Sequence, residues 1–171
     1  MLIVVSDSSP LMNLAGIGRL YLVHEQFGKV IIPASVWDEI VLNSATLPGA
    51  SEIREAYDAG WISRAKPDNT AVVDLLGLGL HRGEAEAIAL AIELHSSLIL
   101  LDDADARLAA TALGLRKTGV IGILIKAKAD GKIESLRREL DALMDRMGFY
   151  IDDGLYRQAL SSCGEISDSI E

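Results

Sequence analysis

Short apolar runs, each closed by polar residues, glycine or proline, recur along this chain. Runs of this length that are rich in Val, Ile and Leu predict buried strands of a parallel sheet. We expect strands at residues 2–6, 29–32, 61–63 and 97–101, of which the third is a brief edge strand. The first predicted strand is followed directly by Asp7, and the last is followed by Asp102 and Asp103.

The stretches between these runs place apolar residues at helical spacing. The strongest helix prediction is residues 83–94, which are Ala-rich and apolar nearly all round, so this helix should lie deep in the protein. Strands that alternate with helices predict an α/β fold with a central parallel sheet and helices on both faces. The other predicted helices are 11–26 with a break near Gly16 and Gly18, 34–42, 51–59 capped by Ser51, a stretch after Asn69 that ends at Gly77 and Gly79, 104–113, 120–129, 133–147 and 156–163.

Length and composition limit the classes of protein to consider. With 171 residues, half of them hydrophobic, the chain suits one domain, which we place at residues 1–164 with a tail at 165–171. A net charge of −9 argues against a broad basic surface for nucleic acid. The single cysteine, Cys163, argues against disulfides, and no signal peptide or membrane span is evident, so we expect a soluble cytoplasmic protein.

Acidic residues at two strand ends are the main chemical signal. The carboxyl ends of neighbouring parallel strands meet in one crevice, where ligands of α/β proteins collect. Asp7, Asp102 and Asp103 brought together there could not all stay ionised without a cation. Carboxylate oxygens favour Mg²⁺ or Mn²⁺ over zinc. The alternative is that these aspartates serve as turn or cap residues. We expect Ser8 or Ser9 to cap the first helix, with Pro10 at its first position.

Three glutamates occupy helix positions from which they could reach the same crevice. Glu39 lies in PASVWDEI, and Glu84 and Glu86 open the predicted buried helix. Glu84 and Glu86 are about 200° apart around that helix, so only one of them should face a given site. Each also has a structural explanation: Glu39 in a solvated helix face, and the other two at the positive end of a helix dipole.

The order of these acids resembles that of the PIN-domain ribonucleases, in particular the branch related to VapC-type toxins of toxin–antitoxin pairs. The runs GEAEAIALA and LLDDADAR carry the resemblance most specifically, and it extends from Leu2 to about Gly164. It implies a PIN-like fold in which Asp7, Glu84 and Asp103 hold one or two Mg²⁺ or Mn²⁺ ions. Asp103 matches the family's strand-end acid better than Asp102, and Glu84 stands where Asp is usual, which leaves Glu86 open.

The same resemblance implies an endoribonuclease that hydrolyses RNA phosphodiesters without a protein nucleophile. Asp7 would bridge two ions, and Glu39 would act through water or assist proton transfer. Ser9 matches the polar residue that assists the first Asp. An antitoxin partner follows from the resemblance, whereas a homodimer is suggested by the apolar helices after Gly119, which exceed what one small core needs.

Cations that could bind RNA phosphates are few. Arg82 and Arg107 lie near the acids in sequence, although ion pairing with those acids is an equal alternative. The strip Lys126, Lys128 and Lys132 is more simply a solvated helix face. No nucleophilic triad competes, because His24, His81 and His95 lie in unrelated contexts.

Two other functions remain open at this point. A non-catalytic PIN-like module that binds protein or RNA would explain the acidic composition and the Glu at position 84. A phosphoryl-transfer protein with Asp7 or Asp103 as acceptor is less well supported, because the expected second Asp and the late strand-end Lys are not evident.

Overall fold

A five-stranded parallel sheet forms the centre of the protein. The structure is a computed structural model that describes residues 2–43 and 46–166. The strands are β1 (Val4–Ser6), β2 (Val30–Pro33), β3 (Ile62–Ala65), β4 (Leu98–Leu100) and β5 (Lys117–Thr118), in the spatial order β3-β2-β1-β4-β5. Strand β1 is therefore central, paired on one side with β2 through Val5 and Ile31 and on the other with β4.

Helices cover both faces of this sheet. They are α1 (Ser8–Gly16), α2 (Tyr21–Phe27), α3 (Ala34–Asp38), α4 (Ala50–Asp58), α5 (Thr70–Leu76), α6 (Arg82–Glu93), α7 (Ala104–Ala112), α8 (Val120–Ala129), α9 (Leu136–Met147) and α10 (Asp153–Ser162). A π-helical turn, Glu39–Asn43, continues directly from α3. The α/β fold with a parallel sheet between two helical layers is confirmed.

The two cores follow from the alternation of side chains along the strands. Val4 and Leu100 point into a large core formed with α1, α2, α4, α8, α9 and α10. Val5 and Ile99 point into a smaller core on the opposite face, formed with α6 and α7. As predicted, α6 is buried on nearly all sides, and its residues from Glu84 to Ala91 are inaccessible to solvent or nearly so.

Helix α9 begins three residues later than predicted, at Leu136, and α10 begins three residues earlier, at Asp153. Two further starts differ in the residue that caps them. Helix α1 begins at Ser8 with Asp7 as its N-cap residue, so neither Ser8 nor Ser9 is the cap, and Pro10 is the third helical residue. Proline is tolerated there because the first four N–H groups of a helix have no intrahelical acceptor. Helix α4 begins at Ala50 after Gly49, whose φ of 94° suits glycine, so Ser51 does not cap it.

The strand at Lys117 and Thr118 was not predicted, because two polar residues carry no strand pattern of their own; they become a strand by pairing with β4. The proposed division into residues 1–164 and a tail at 165–171 stays a prediction. Residue 1, residues 44–45 of the predicted loop and 167–171 of the predicted tail lie outside the described residues. Within the described part of the chain, no helix has both the length and the apolarity to cross a membrane.

Candidate metal centre at the carboxyl edge of the sheet

Asp7 lies at the middle of the carboxyl edge of the sheet. It follows the central strand β1, and its backbone N–H donates to Leu100 O of the neighbouring strand (3.1 Å). Its side chain is 5% exposed and makes no capping bond to α1 although Asp7 occupies the N-cap position. No ion pair joins Asp7 to any Lys, Arg or His in the described residues. Burial of a carboxylate without a cation is costly, so this residue needs a specific explanation.

Glu39 reaches the same place from β2. Strand β2 leads into α3, and Glu39 opens the π-helical turn that follows, where its Oε1 accepts a hydrogen bond from Ser8 Oγ (3.4 Å). A Cβ added to Gly83 would lie 3.3 Å from Asp7 Oδ1 and 3.6 Å from Glu39 Oε2. The two carboxylates therefore face the same point above the Gly83 backbone, and a side chain at position 83 would fill the space between them.

Glu84 faces this group, whereas Glu86 does not. Glu84 is buried, and its Oε2 accepts the N–H of His81 at the start of α6 (3.0 Å). Glu86 Oε1 accepts from Arg82 Nε (2.8 Å), and its other oxygen accepts from Ser35 on α3. Like charge on Glu84 raises the pKa of Asp7, which places its carboxylate on the Asp7 side of the helix. Of the two glutamates, Glu84 therefore belongs to the group around Asp7, whereas both oxygens of Glu86 accept hydrogen bonds from Arg82 and Ser35.

Asp102 is tied to two helices on the other side of Asp7. Its Oδ1 accepts the N–H of Val120 at the start of α8 (2.8 Å), and its Oδ2 accepts from Asn13 Nδ2 of α1 (3.4 Å). Asn13 also donates to Ser9 Oγ (3.1 Å). Ser9 therefore belongs to the polar group around the acids, where it connects through Asn13 with Asp102; its predicted assistance to Asp7 stays a prediction.

Asp103 is the N-cap of α7 and is exposed. Its Oδ1 accepts the N–H of Ala106 (2.9 Å), which leaves its other oxygen without a described hydrogen bond. Its charge raises the pKa of Glu84, whereas the charge of Asp102 raises that of Asp7. The two neighbouring aspartates thus lie on different sides of the group, and the structure does not test which of them binds a metal.

The electrostatic state of Asp7 reflects this crowding. Burial, and to a smaller degree the charges of Glu84, Glu39 and Asp102, raise the pKa of Asp7 from 3.8 to about 7, against a lowering contribution from the Ser8 N–H. Burial also raises the pKa of Glu84 and of Asp102. A divalent cation would oppose all three shifts, since an opposite charge nearby favours the ionised carboxylate.

The donors fit a hard divalent cation in kind. They are carboxylate oxygens at the edge of a cleft, the type of ligand that Mg²⁺ and Mn²⁺ prefer, and they face a space kept open by Gly83. Within the described residues, however, no three His, Cys, Asp or Glu side chains are grouped closely enough to hold an ion. Both oxygens of Asp102 accept hydrogen bonds, from Val120 N–H and Asn13 Nδ2, whereas Glu84 accepts one through Oε2 and its Oε1 has no described hydrogen bond.

The two arginines named from the sequence are both engaged. Arg82 lies at a separate cavity between α5 and α6 and pairs with Glu86, which is the ion-pair alternative. Arg107 Nη1 donates to Leu101 O (2.9 Å), and this side chain lines a cavity that also contains Asp102. Lys126, Lys128 and Lys132 pair with Asp130, Glu165 and Glu25, respectively, so they do not form a free basic strip.

Sequence reasoning missed Asn13, Ser35 and Gly83 as parts of this region. The spacing of Ser9 and Asn13, one helical turn apart, is a signal that could have found Asn13. Ser35 and Gly83 gain their roles only from the packing of α3 against α6, which no local pattern reveals.

Comparison with known families gives one match. A family model described as a PIN domain matches residues 3–165, which is nearly the whole chain. A search of curated proteins gives no match.

Proposed function

This chain belongs to the PIN-domain family, and we propose that it is a Mg²⁺- or Mn²⁺-dependent endoribonuclease whose acidic centre lies around Asp7. PIN domains are generally nucleases, so the general class follows from the family. The metal, the RNA substrate and the residues that act are our proposal.

One observation carries it: the buried carboxylate of Asp7 has three acidic neighbours and no described cation. A soluble fold neutralises a buried carboxylate with a cation or a proton. Here burial and like charge favour the proton, and they do so at the carboxyl edge of the sheet, where ligands of α/β proteins bind. A divalent ion accounts for both the crowding of acids and the missing basic partner.

The proposed ligands are Asp7, Glu84 and Asp103, with Asp102 as the alternative to Asp103. When bound, the ion supplies charge neutralisation at the phosphate and a more acidic water. Asp7, fixed at the end of β1, sets the centre of the site. Glu39 is exposed on the Ser8 side, where it can take a proton from an attacking water. Ser9 and Asn13 hold the carboxylate of Asp102 in its orientation.

The primary test is cleavage of a fluorescent single-stranded RNA by purified protein with Mn²⁺, Mg²⁺ or EDTA. We expect cleavage with either ion, none in EDTA, and loss of cleavage in Asp7→Asn. Glu134→Gln removes a surface carboxylate whose side chain is 88% exposed, and it serves as the matched control with wild-type activity. Cleavage by Asp7→Asn at the wild-type rate would refute the proposal.

Pairs of variants test which of the other acids bind the metal ion. Glu84→Gln should reduce cleavage strongly and Glu86→Gln should not, because only Glu84 faces Asp7. Asp103→Asn and Asp102→Asn are compared in the same way, and the variant with the larger rise in the Mn²⁺ concentration needed for half-maximal activity identifies the ligand.

The narrower assignment to the VapC-type toxin branch rests on the GEAEAIALA and LLDDADAR runs. We propose on that basis a cognate antitoxin; a homodimer is proposed from the apolar helices after Gly119, and a cytoplasmic location from the composition. Expression of the chain alone in bacteria should arrest growth, and co-expression of the neighbouring small reading frame should relieve the arrest. Normal growth with soluble, RNA-cleaving protein would refute the toxin assignment.

A second candidate is a PIN-like module that binds RNA or protein without turnover. The observation that favours it is that these acids already accept hydrogen bonds from within the protein: His81 N–H donates to Glu84 Oε2, and Val120 N–H and Asn13 Nδ2 donate to the two oxygens of Asp102. Calorimetry with Mn²⁺ discriminates between the two. Binding that is abolished by Asp7→Asn supports the nuclease, and absence of binding supports the module.

A further inference from the structure

Two cavities flank the acidic centre along the carboxyl edge of the sheet. The first, of about 390 Å³, is lined by Ser8, Ser9 and Glu39 on the β2 side of Asp7 and also by Arg146. The second, of about 340 Å³, is lined by Asp102, Lys117 and Tyr150 on the β5 side. Both volumes are within the roughly 300–1,000 Å³ of ordinary ligand sites. Asn13 lines the first cavity and Asp102 lines the second, so a ligand that occupied both would lie across the hydrogen bond between these two residues.

One short segment of chain serves both cavities. Arg146 and Met147, at the end of α9, line the first, and Phe149 and Tyr150 line the second. Gly148 joins them in a left-handed conformation (φ 62°) that ends α9 and turns the chain.

The helix end before this turn is held in place by close packing. A Cβ on Gly16 would lie 2.1 Å from Met147 Sδ, so the Met147 side chain packs directly against the backbone of α1. Arg146 lines the same cavity as Glu39, which places it beside one of the acids.

The side chains of this segment that face solvent are suited to nucleic acid. Tyr150 is 85% exposed and makes no ring contact or hydrogen bond in the described part of the chain. Arg146 and Lys117 make no ion pair with a described acid, in contrast to Lys126, Lys128 and Lys132. An exposed aromatic ring stacks on an unpaired base, and isolated cations bind single phosphates.

We propose that the segment Arg146–Tyr150 binds single-stranded RNA across the acidic centre, with Arg146 on a phosphate in the first cavity and Tyr150 stacked on a base beside the second. This inference rests on the proposed function and names the residues of this chain that hold the RNA at that site. Single-stranded RNA fits better than a duplex, because the protein carries a net charge of −9 and offers only a few cations at this edge. A stacking site also requires a base that is free of its partner strand.

The test is fluorescence anisotropy with a labelled single-stranded RNA of mixed sequence, in EDTA so that binding is measured apart from cleavage. Stacking on one base predicts a roughly 10-fold weaker Kd for Tyr150→Ala, and retention of affinity in Tyr150→Phe. Arg146→Ala should weaken binding and reduce the slope of log K against log salt by about one. A hairpin RNA without single-stranded ends should bind more weakly than the linear RNA.

Matched controls are Tyr21→Ala, which removes another exposed aromatic far from the acids, and Arg138→Ala, which removes an exposed arginine paired with Glu134. Both should bind RNA as the wild type does. Unchanged affinity in Tyr150→Ala and Arg146→Ala, with cleavage intact, would overturn this inference and leave the proposed function standing. If the protein binds RNA through Tyr150 and Arg146 but never cleaves it, this inference stands and the proposed function is refuted.

Light scattering tests the other explanation for the exposure of Tyr150, which is an interface between two copies of the chain. If Tyr150→Ala converts a dimer into a monomer and leaves the RNA Kd unchanged, Tyr150 belongs to an interface between copies and the inference is overturned. An unchanged molecular mass together with the weaker Kd supports it.

Discussion

Two buried carboxylates of nearly equal exposure are treated by this fold in opposite ways. Glu139 on α9 is 4% exposed and accepts two hydrogen bonds from the Arg19 guanidinium, at 2.8 and 3.0 Å. Asp7 is 5% exposed and has acids rather than a cation around it. The chain thus supplies an arginine for one buried acid and, among the described residues, no cationic partner for the other, and this contrast supports our proposal of a metal ion at Asp7.

The same contrast recurs within one helix. On α6, Glu86 is paired with Arg82 and Ser35; burial raises its pKa, but these hydrogen bonds outweigh burial and lower the pKa overall. Burial raises the pKa of Glu84, two residues earlier, and the single N–H of His81 does not compensate. Paired acids such as Glu86 and Glu139 stabilise the fold, whereas Asp7 and Glu84 cost stability in the metal-free protein.

The largest effect is expected for Asp7→Asn, which should change activity and stability in opposite directions. RNA cleavage should fall by about 10³-fold, because several kcal/mol of charge stabilisation at the phosphate depend on the bound ion. At pH 8 without metal, the variant should be more stable than the wild type by about 3 kcal/mol, because no ionised carboxylate has to be buried. Urea unfolding at pH 8 in EDTA measures the second part. Equal or lower stability of the variant would contradict our account of Asp7.

The pH dependence of stability sharpens the same point. The folded-state pKa of Asp7 is about 7 against 3.8 for the model carboxyl, so the folded protein binds this proton more tightly than the unfolded chain. Stability from this group is full below about pH 4, is lost as pH rises towards 7, and stays lost above it. Between pH 5 and pH 8 the metal-free wild type should lose about 3 kcal/mol through Asp7.

Urea titrations at several pH values in EDTA measure this loss, with Asp7→Asn as the control that should show a much flatter profile. Saturating Mn²⁺ should restore the wild type at pH 8, by about 2.7 kcal/mol at a hundredfold excess over Kd. A wild type whose stability rises between pH 5 and pH 8 would show that Asp7 is not the dominant buried acid.

The fold could be predicted from sequence where uninterrupted apolar runs form its elements. Strands β1, β2 and β4 and helix α6 are runs whose burial is evident from composition alone, and they determine the sheet. Strand β5 could not be predicted, because Lys117 and Thr118 are strand residues only through their pairing with β4. The cap of α1 was missed because Asp7, Ser8 and Ser9 are all good N-cap residues, and position in the fold decides among them.

The acids of the candidate site were predictable because strand ends in a parallel sheet meet at one edge. Their partners were not, since Ser35 reaches Glu86 and Asn13 reaches Asp102 across 51 and 89 residues of sequence. The pairing of Arg82 with Glu86 was predictable as one of two alternatives, because residues one helical turn apart often form an ion pair.

Removing the carboxylate of Glu139, which is paired with Arg19, should change stability less than Asp7→Asn does and in the opposite direction. Glu139→Gln should destabilise the protein by about 2 kcal/mol, the typical value for hydrogen bonds to a charged group, since Arg19 is partly exposed and regains water. RNA cleavage below the melting temperature should be unchanged. Glu134→Gln, which breaks an exposed pair with Arg138, is the control and should cost under about 0.5 kcal/mol. Loss of cleavage without loss of stability in Glu139→Gln would contradict a purely structural role.

The smallest effect is expected for Ser35→Ala. This variant tests whether Glu86 has only a structural role while Glu84 belongs to the acidic centre. The hydroxyl of Ser35 donates to Glu86, and its removal should cost about 1 kcal/mol because Arg82 still holds the other oxygen of that carboxylate. Ser51→Ala is the control, since the hydroxyl of Ser51 donates to an exposed neighbour, Glu52. RNA cleavage should stay within about twofold of wild type in both variants. A marked fall in cleavage for Ser35→Ala alone, at unchanged stability, would mean that Glu86 works with Asp7 and that its ion pair is part of the active centre.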